Sequence, residues 1–182
     1  MARLELPDPA LRDDVVALRG FESSDVAALV EICQDPEIPR WTGVPSPYGK
    51  AEAHAYLARV AEGLAAGTRA SFAIVDANDG RMLGTAGLMA IDRALACAEL
   101  GYMLAADARG RGAASRSVRL LAGWAFGTLG LERVELHIDR DNAASLAVAA
   151  RNDFTRVAKP VVQRAETAHF VNDIYFARMR GG

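Results

Sequence analysis

The segment with the clearest chemical potential is Arg109-Gly110-Arg111-Gly112-Ala113-Ala114, which follows a predicted strand and opens a predicted helix. Glycines let a ligand approach the backbone, and the first N–H groups of a helix have no partner within the helix. The helix dipole favours negative charge at this same end, where the two arginines add positive charge. The segment therefore predicts a phosphate-binding loop.

Two common phosphate-binding loops do not fit this spacing. No Gly-Lys-Ser/Thr follows, which excludes a P-loop. Ala113-Ala114 stands where a dinucleotide-binding loop would carry further glycines. A solvated turn is the alternative for the segment taken by itself, because short glycine motifs occur in many unrelated turns. A nucleic-acid surface is a weaker alternative, since no aromatic residues are interleaved with the arginines.

Hydrophobic periodicity places this loop within an alternating series of strands and helices. Strands are predicted at Val15–Arg19, Ser71–Asp76, Met82–Asp92, Cys97–Leu104, Arg133–Asp139, Phe154–Arg164 and Phe170–Arg178. Helices are predicted after Ser23 or Ser24, over Gly49–Ala66, from the glycine loop to Leu129, and over Ala143–Arg151 with Asn142 as its cap. This order predicts an α+β fold with a mixed seven-stranded sheet and four helices.

Composition narrows the classes of protein further. The 182 residues predict one domain over residues 15–182, with an N-terminal tail at residues 1–14. A net charge of −2 disfavours nucleic acid and anionic membranes as partners. Cys33 and Cys97 lack the spacing of metal ligands, so no metal is expected. The N-terminus lacks the apolar block of a signal peptide, which predicts a cytoplasmic protein.

Further features lie in a fixed order around the glycine-rich segment, over roughly residues 15 to 180. They are Leu18-Arg19 with Asp25, Pro47-Tyr48, Glu99-Leu100-Gly101-Tyr102, Asn142-x-x-Ser145 and Phe154. With the glycine-rich segment, which is similar to the acyl-CoA motif Gln/Arg-x-x-Gly-x-Gly/Ala, they resemble the GNAT superfamily of acyl-CoA N-acyltransferases. Together they are similar to the branch that acetylates the N-termini of ribosomal proteins. One departure is Asp153, where a glycine is usual, and Asn152 is expected to adopt the left-handed backbone conformation instead.

The resemblance implies acetyl-CoA as a cosubstrate and a strand that separates from its neighbour to admit the pantetheine. The pantetheine amides would bond to the backbone of Met103 and Leu104, and Asn142 would reach the pantetheine from the following helix. The remaining residues implied in cofactor binding surround the pyrophosphate and are Arg109, Gly110, Arg111, Gly112, Ala113 and Ala114.

Two residues are implied in catalysis by the same resemblance. A lysine-like amine with a pKa of ~10.4 is largely protonated at neutral pH, whereas an α-amine near ~7.7–8.0 is far less so. A general base therefore helps most when the acceptor is a side-chain amine. Glu99 would be that base, acting through water, and the alternative is a salt-bridged glutamate at a strand end. The usual tyrosine acid is replaced by Ala149, and Ser145 is the expected substitute; the alternative is an ordinary first-turn serine.

The predicted function is transfer of an acetyl group from acetyl-CoA to a primary amine by direct attack, the amine being a protein N-terminus or a small molecule. Trp41 and Tyr48 are expected either to wall the acceptor pocket or to anchor their loop in the core. The alternatives are a non-catalytic CoA-binding module, which Ala149 favours, and an enzyme that uses another acyl-CoA. A homodimer is compatible with the resemblance.

Overall fold

The computed structural model describes residues 4–162 and 172–181. The strands in this part of the chain are β1 Leu11–Arg12, β2 Val16–Arg19, β3 Ala70–Asp76, β4 Met82–Asp92, β5 Cys97–Leu104, β6 Arg133–Asp139, β7 Thr155–Val157 and β8 Asp173–Met179. The α-helices are α1 Asp25–Ile32, α2 Glu37–Trp41, α3 Lys50–Ala66, α4 Ala113–Gly127 and α5 Ala143–Arg151, with a 3-10 turn at Ala106–Ala108. The predicted α+β class with a mixed sheet is confirmed.

The described residues form one strand and one α-helix more than predicted, and one strand is shorter than predicted. Strand β1 and helix α2 were not predicted. Proline commonly marks the end of a helix, but Pro36 precedes the first turn of α2, where proline is tolerated. The strand expected over Phe154–Arg164 covers only Thr155–Val157, and Pro160 further along lacks the N–H that a ladder requires. The predicted end of this strand at Arg164, and the start of the next predicted strand at Phe170, lie outside the described residues.

The sheet has the strand order β1-β2-β3-β4-β5-β6-β8-β7, and its neighbours are antiparallel except for β5 and β6. This parallel pair is short, running from Cys97 opposite Arg133 to Glu99 opposite Glu135. Beyond that point β5 stays paired with β4 as far as Leu104, while β6 continues along β8 to Asp139. The two strands therefore separate, and the β6-facing backbone of β5 after Glu99 has no strand partner in the described sheet.

Helices cover both faces of the sheet and enclose two hydrophobic clusters. On one face, α4 packs its buried residues against alternating β3, β4 and β5 side chains, with Phe72 meeting Trp124 edge to face at 5.6 Å. On the other face, α1 and α3 cover Ala73, Val75 and Met82. None of the helices in the described residues has the length and apolar composition of a membrane-spanning segment.

Residues 4–14, expected to form a loose tail, lie against the domain instead. Leu4 is buried in the main hydrophobic cluster, and β1 pairs with β2 through Leu11 opposite Leu18. Asp13 accepts a hydrogen bond from Arg116 of α4 at 2.9 Å. Burial of apolar surface and a strand ladder give this segment a stable position that its charged, proline-containing sequence did not indicate.

The connection between α5 and β7 corrects the prediction for Asn152. Asp153 has the left-handed backbone conformation, with φ of 61°, whereas Asn152 has φ of −115°. The Asn152 side chain is used elsewhere, because its Nδ2 donates to Ser115 Oγ at 2.8 Å and to the carbonyl of Val148 at 2.9 Å. Asn152 therefore ties the end of α5 to α4, and its neighbour makes the turn.

Glu135 on β6 is a fully buried carboxylate that holds the segment after β7. Its oxygens accept hydrogen bonds from the N–H groups of Val161 and Val162 and from Arg133 Nε at 2.6 Å. Its Oε2 lies 3.2 Å from His137 Nε2. Burial alone would raise the pKa of Glu135, but the hydrogen bonds from His137, from the two backbone N–H groups and from Arg133 outweigh it and lower the pKa to about 2.

We expect Glu135→Gln to reduce the free energy of unfolding by roughly 3 kcal/mol near pH 7. The reason is that a native pKa of about 2, against ~4.3 when unfolded, stabilises the fold above pH ~4.3, and this stabilisation is lost as the pH falls towards about 2. The difference in the free energy of unfolding between wild type and variant, measured with urea, should therefore become smaller from pH 5 to pH 3. The control is Glu132→Gln, an exposed ion-pair partner of Arg180, which should change stability by less than about 1 kcal/mol. An equally small effect at Glu135 would contradict the prediction.

Candidate active site

A cleft of about 600 Å³ opens where β5 separates from β6. Its walls come from α2, the end of β5, the glycine-rich loop, the start of α4 and one face of α5. The residues that line it are Glu37, Ile38, Trp41, Thr42, Tyr102, Met103, Leu104, Arg109, Gly110, Gly112, Ala113, Ala114, Ser115, Asn142, Ala144, Ser145, Ala147, Val148 and Arg151. The structure thus brings together the predicted cofactor residues from β5, the loop and α5, except Arg111, which is exposed and does not line the cleft.

The glycine-rich loop presents the beginning of α4 to this cleft. Gly110 and Gly112 have φ of 74° and 83°, a left-handed conformation that non-glycine residues rarely adopt. Gly112 occupies the N-cap position and, as a glycine, provides no side chain that could cap the first N–H groups of α4. These N–H groups and the positive end of the helix dipole form a site suited to an anion.

Arg109 connects the loop to the rest of the cleft wall. Its guanidinium donates to the carbonyl of Leu104 through Nε at 3.2 Å and Nη2 at 2.9 Å. It also forms an ion pair with Asp35, after α1, at 2.6 Å. Arg109 therefore ties the glycine-rich loop to the end of β5 and to the segment after α1. The carboxylate of Asp35 partly neutralises the charge of Arg109.

Asn142 begins α5 and confirms the predicted helix cap. Its Oδ1 accepts a hydrogen bond from the Ser145 N–H at 3.1 Å, which satisfies one of the helix's unpaired donors. Since the carbonyl oxygen of the side chain makes the cap, the side-chain NH₂ is the group that remains to donate to a ligand. The same contact holds Ser145 at the edge of the cleft.

Ser145 has a second partner that the sequence did not indicate. The Tyr102 hydroxyl, from β5, lies 3.1 Å from Ser145 Oγ and donates a hydrogen bond to it. Burial raises the pKa of Tyr102, against the opposing effect of the hydrogen bond with Ser145. Tyr102 contacts the main hydrophobic cluster through its ring, and the residue also lines the cleft.

Glu99 lies deeper than the cleft surface, where β5 and β6 begin to separate. It is 1% exposed and is not among the residues that line the cleft. Its Oε2 lies 3.8 Å from Nδ1 of His137, whose other ring nitrogen faces Glu135 at 3.2 Å. His137 was assigned no role from the sequence, yet its ring lies between two buried carboxylates and packs edge to face on Tyr175 at 5.0 Å.

The two aromatic residues predicted near the acceptor occupy different environments. Trp41 lines the cleft, where its Nε1 donates to Glu37 at 2.7 Å and Arg40 lies 4.4 Å from its ring centroid. Tyr48 is 7% exposed and packs in the cluster under α1 and α3, where burial raises its pKa to about 12. Tyr48 therefore packs in the core, the second of its two predicted roles, and does not line the cleft.

Sequence reasoning missed several residues of the cleft. Ala144, Ala147, Val148 and Arg151 follow one another at three- and four-residue spacing and form the face of α5 next to Ser145; only Val148 lies at helical spacing from Ser145 itself. Glu37 and Thr42 lie on either side of Trp41, and neither was singled out from the sequence. Among the described residues, no group of histidine, cysteine and carboxylate side chains is placed to hold a metal ion.

Comparison with known proteins identifies the family. Residues 16–155 match the family profile described as "Acetyltransferase (GNAT) domain". The chain belongs to the GNAT acetyltransferase family. Its curated relatives include the N-acetyltransferase p20 of Bacillus licheniformis, 27% identical over 131 residues that cover 72% of this chain and 74% of p20. The predicted enzyme class, a GNAT N-acetyltransferase, is confirmed.

Solved structures share this GNAT fold at low sequence identity. RimL, a ribosomal L7/L12 alpha-N-protein acetyltransferase in complex with coenzyme A, has a TM-score of 0.79 and 23% identity, covering 93% of this chain and 97% of RimL. The spermidine N-acetyltransferase of Vibrio cholerae, in complex with CoA and spermine, has a TM-score of 0.75 and 16% identity, covering 92% of this chain and 97% of that protein.

Proposed function

We propose that this GNAT protein transfers an acetyl group from acetyl-CoA to a primary amine by direct attack. The observation that carries the proposal is the cleft itself, in which a separated strand edge and the uncapped start of α4 meet. The strand edge offers unpaired backbone groups for the pantetheine amides, and the helix start offers N–H donors for a pyrophosphate. RimL and the spermidine enzyme, both of this fold, were solved with CoA.

The residues present fit acetyl-CoA. Met103 and Leu104 would hold the pantetheine through their backbone, although the Leu104 carbonyl already accepts from Arg109. Gly112, Ala113 and Ala114 would hold the pyrophosphate at the start of α4. Arg111, exposed beside this loop, adds a cation on the solvent side. Asn142 would donate from its side-chain NH₂.

The acceptor is proposed to be a primary amine of a protein N-terminus or of a small molecule. Two of the proteins that share the fold act, by their names, on a protein α-amine and on a polyamine. On this chain, Glu37 places a carboxylate in the cleft wall beside the Trp41 ring, and Arg40 pairs with this carboxylate at 3.0 Å and lies over the same ring. A carboxylate and an aromatic face both attract an ammonium group, and the acceptor then releases one proton to solvent to give the neutral amine that attacks.

Three groups supply the proposed chemistry. When bound, acetyl-CoA provides a thioester carbon that an amine can attack. Glu99 accepts, through water, the proton that the amine loses as the C–N bond forms. As the C–S bond breaks and its electron pair remains on sulfur, Ser145 donates a hydrogen bond to the thiolate. Neither Cys33 nor Cys97 takes part, since both are buried and burial raises the pKa of each thiol.

The proposal is tested first by ligand-dependent thermal unfolding. At about 100 times Kd, acetyl-CoA and CoA should each stabilise the protein by about 2.7 kcal/mol, which raises Tm by about 2–4 °C per kcal/mol for a domain of this size. Release of CoA in the presence of α-amino peptides, polyamines and lysine derivatives, followed with a thiol reagent, then tests transfer. Absence of a Tm shift would contradict the cofactor site. A shift without CoA release for any amine would instead support a non-catalytic CoA-binding module.

A further inference from the structure

We propose that Tyr102 is a positioning residue that directs the hydroxyl hydrogen of Ser145 into the cleft, towards the sulfur of the leaving CoA. This inference deepens the proposed function and rests on it. It starts from the hydrogen bond between Tyr102 Oη on β5 and Ser145 Oγ on α5, at 3.1 Å. Both side chains line the cleft, on the two elements that are expected to contact the pantetheine.

The direction of this hydrogen bond determines where the serine hydrogen points. A phenol is a stronger acid than an aliphatic alcohol, so Tyr102 donates and Ser145 Oγ accepts. The single hydroxyl hydrogen of Ser145 cannot then lie along the line to Tyr102 and must point elsewhere. Ser145 lines the cleft, and its N–H holds it there by donating to Asn142 Oδ1 at 3.1 Å. A ligand atom in the cleft can therefore accept the hydroxyl hydrogen.

Protonated Tyr102 is a requirement of this arrangement, and the surroundings favour it. Burial raises the pKa of Tyr102, with the hydrogen bond to Ser145 opposing, so the phenol keeps its proton at neutral pH. The contact also polarises Ser145, because an oxygen that accepts a hydrogen bond becomes a better donor. At Ala149, where related enzymes carry a tyrosine, the side chain is fully buried in the hydrophobic cluster. In this protein the phenol near the cleft therefore comes from β5.

The step that this pair assists keeps its atoms and charges in balance. The amine forms the C–N bond and gives its proton, through water, to Glu99, while the C–S bond breaks with its electron pair on sulfur. Ser145 donates a hydrogen bond to the resulting thiolate, and Tyr102 keeps its own proton. CoA leaves as the thiolate and is protonated by water after release. The pair acts by stabilising negative charge on sulfur, so it should lower the pKa of the CoA thiol in the binary complex.

The test measures the pKa of the bound CoA thiol, a property that does not require an acceptor. Absorbance of the thiolate in the far ultraviolet is titrated for CoA complexes, and the titration of the complex with desulfo-CoA is subtracted to remove protein tyrosines. Wild type should show a thiol pKa below that of free CoA titrated in the same way. Ser145→Ala should raise that pKa by about one unit and Tyr102→Phe by about half a unit or more, because hydrogen bonds to charged groups are the stronger ones.

Turnover with the best amine acceptor gives the second readout. We expect Tyr102→Phe to lower kcat about 3–10-fold with an unchanged Kd for acetyl-CoA, since the phenyl ring keeps its packing and only one hydrogen bond is lost. In the Ser145→Ala background, Tyr102→Phe should have no further effect on thiol pKa or kcat, because its effect passes through Ser145. The matched control is Tyr56→Phe, which removes a buried hydroxyl bonded to Ser71 and Thr85 outside the cleft and should change stability only.

Each outcome decides the proposal. A thiol pKa that is the same in wild type and Tyr102→Phe, or effects of the two substitutions that add, would overturn it. Failure of wild type to bind CoA would overturn both this inference and the proposed function. A Tyr102-dependent thiol pKa together with no acetylation of any amine would support the Tyr102–Ser145 pair and overturn the transfer reaction.

Discussion

Replacing Gly112 with glutamate is expected to abolish acetyl-CoA binding, with a loss of affinity on the order of a hundredfold or more. Gly112 has φ of 83° at the N-cap of α4, and a Cβ added to it would lie more than 4 Å from the surrounding described atoms. A glutamate there would strain the backbone by about 1–2 kcal/mol and place a carboxylate where the pyrophosphate is expected. Negative charge at a helix N-terminus partly offsets the strain, so the protein should remain folded. Isothermal titration calorimetry with acetyl-CoA and CoA measures the loss.

The matched control for this substitution is Gly80→Glu. Gly80 has φ of 74° in the turn between β3 and β4, also with open space beside it, and it does not line the cleft. Glutamate at position 80 therefore introduces the same backbone strain and the same charge away from the glycine-rich loop. The affinity for acetyl-CoA should be unchanged. Gly112→Ala separates strain from charge and should weaken binding less than glutamate. Near wild-type affinity in Gly112→Glu would show that the loop does not hold the pyrophosphate.

Replacing Glu99 with glutamine is expected to lower turnover about 10²–10⁴-fold while the Kd for acetyl-CoA is retained. The loss corresponds to removal of a general base, and binding persists because Glu99 does not line the cleft. Glutamine keeps the shape of the side chain, so packing around this buried position is preserved. Steady-state kinetics of wild type and variant from pH 6 to pH 9, alongside calorimetry with acetyl-CoA, measure both quantities. Activity equal to wild type across this range would contradict the assignment of Glu99.

The pH profile of the Glu99→Gln enzyme also reports on the acceptor. With the base removed, the rate should rise with pH only through deprotonation of the free amine. For an α-amine the rise should level off above pH ~8, whereas for a lysine-like or polyamine acceptor it should continue towards pH ~10. Glu132→Gln, on the exposed residue before β6, is the control and should follow the wild-type profile.

Local sequence determined the parts of this site that depend on neighbours along the chain. The paired glycines favour left-handed backbone at Gly110 and Gly112, and the structure has it at both. Asn142 caps the helix that begins at the next residue, and the predicted strands over Met82–Asp92, Cys97–Leu104 and Arg133–Asp139 have the predicted bounds. Turn, cap and periodicity rules hold here because each involves only a few consecutive residues.

Tertiary structure decided the contacts between residues that are distant in the chain. Tyr102 and Ser145 are 43 positions apart and meet only because β5 and α5 flank the same cleft. Trp41 faces that cleft, while Tyr48 further along the same segment is buried in the core. Glu99 lies beside His137 because the parallel register of β5 and β6 ends there. Side-chain type and spacing specify which groups are available, but strand register and helix packing determine which of them meet.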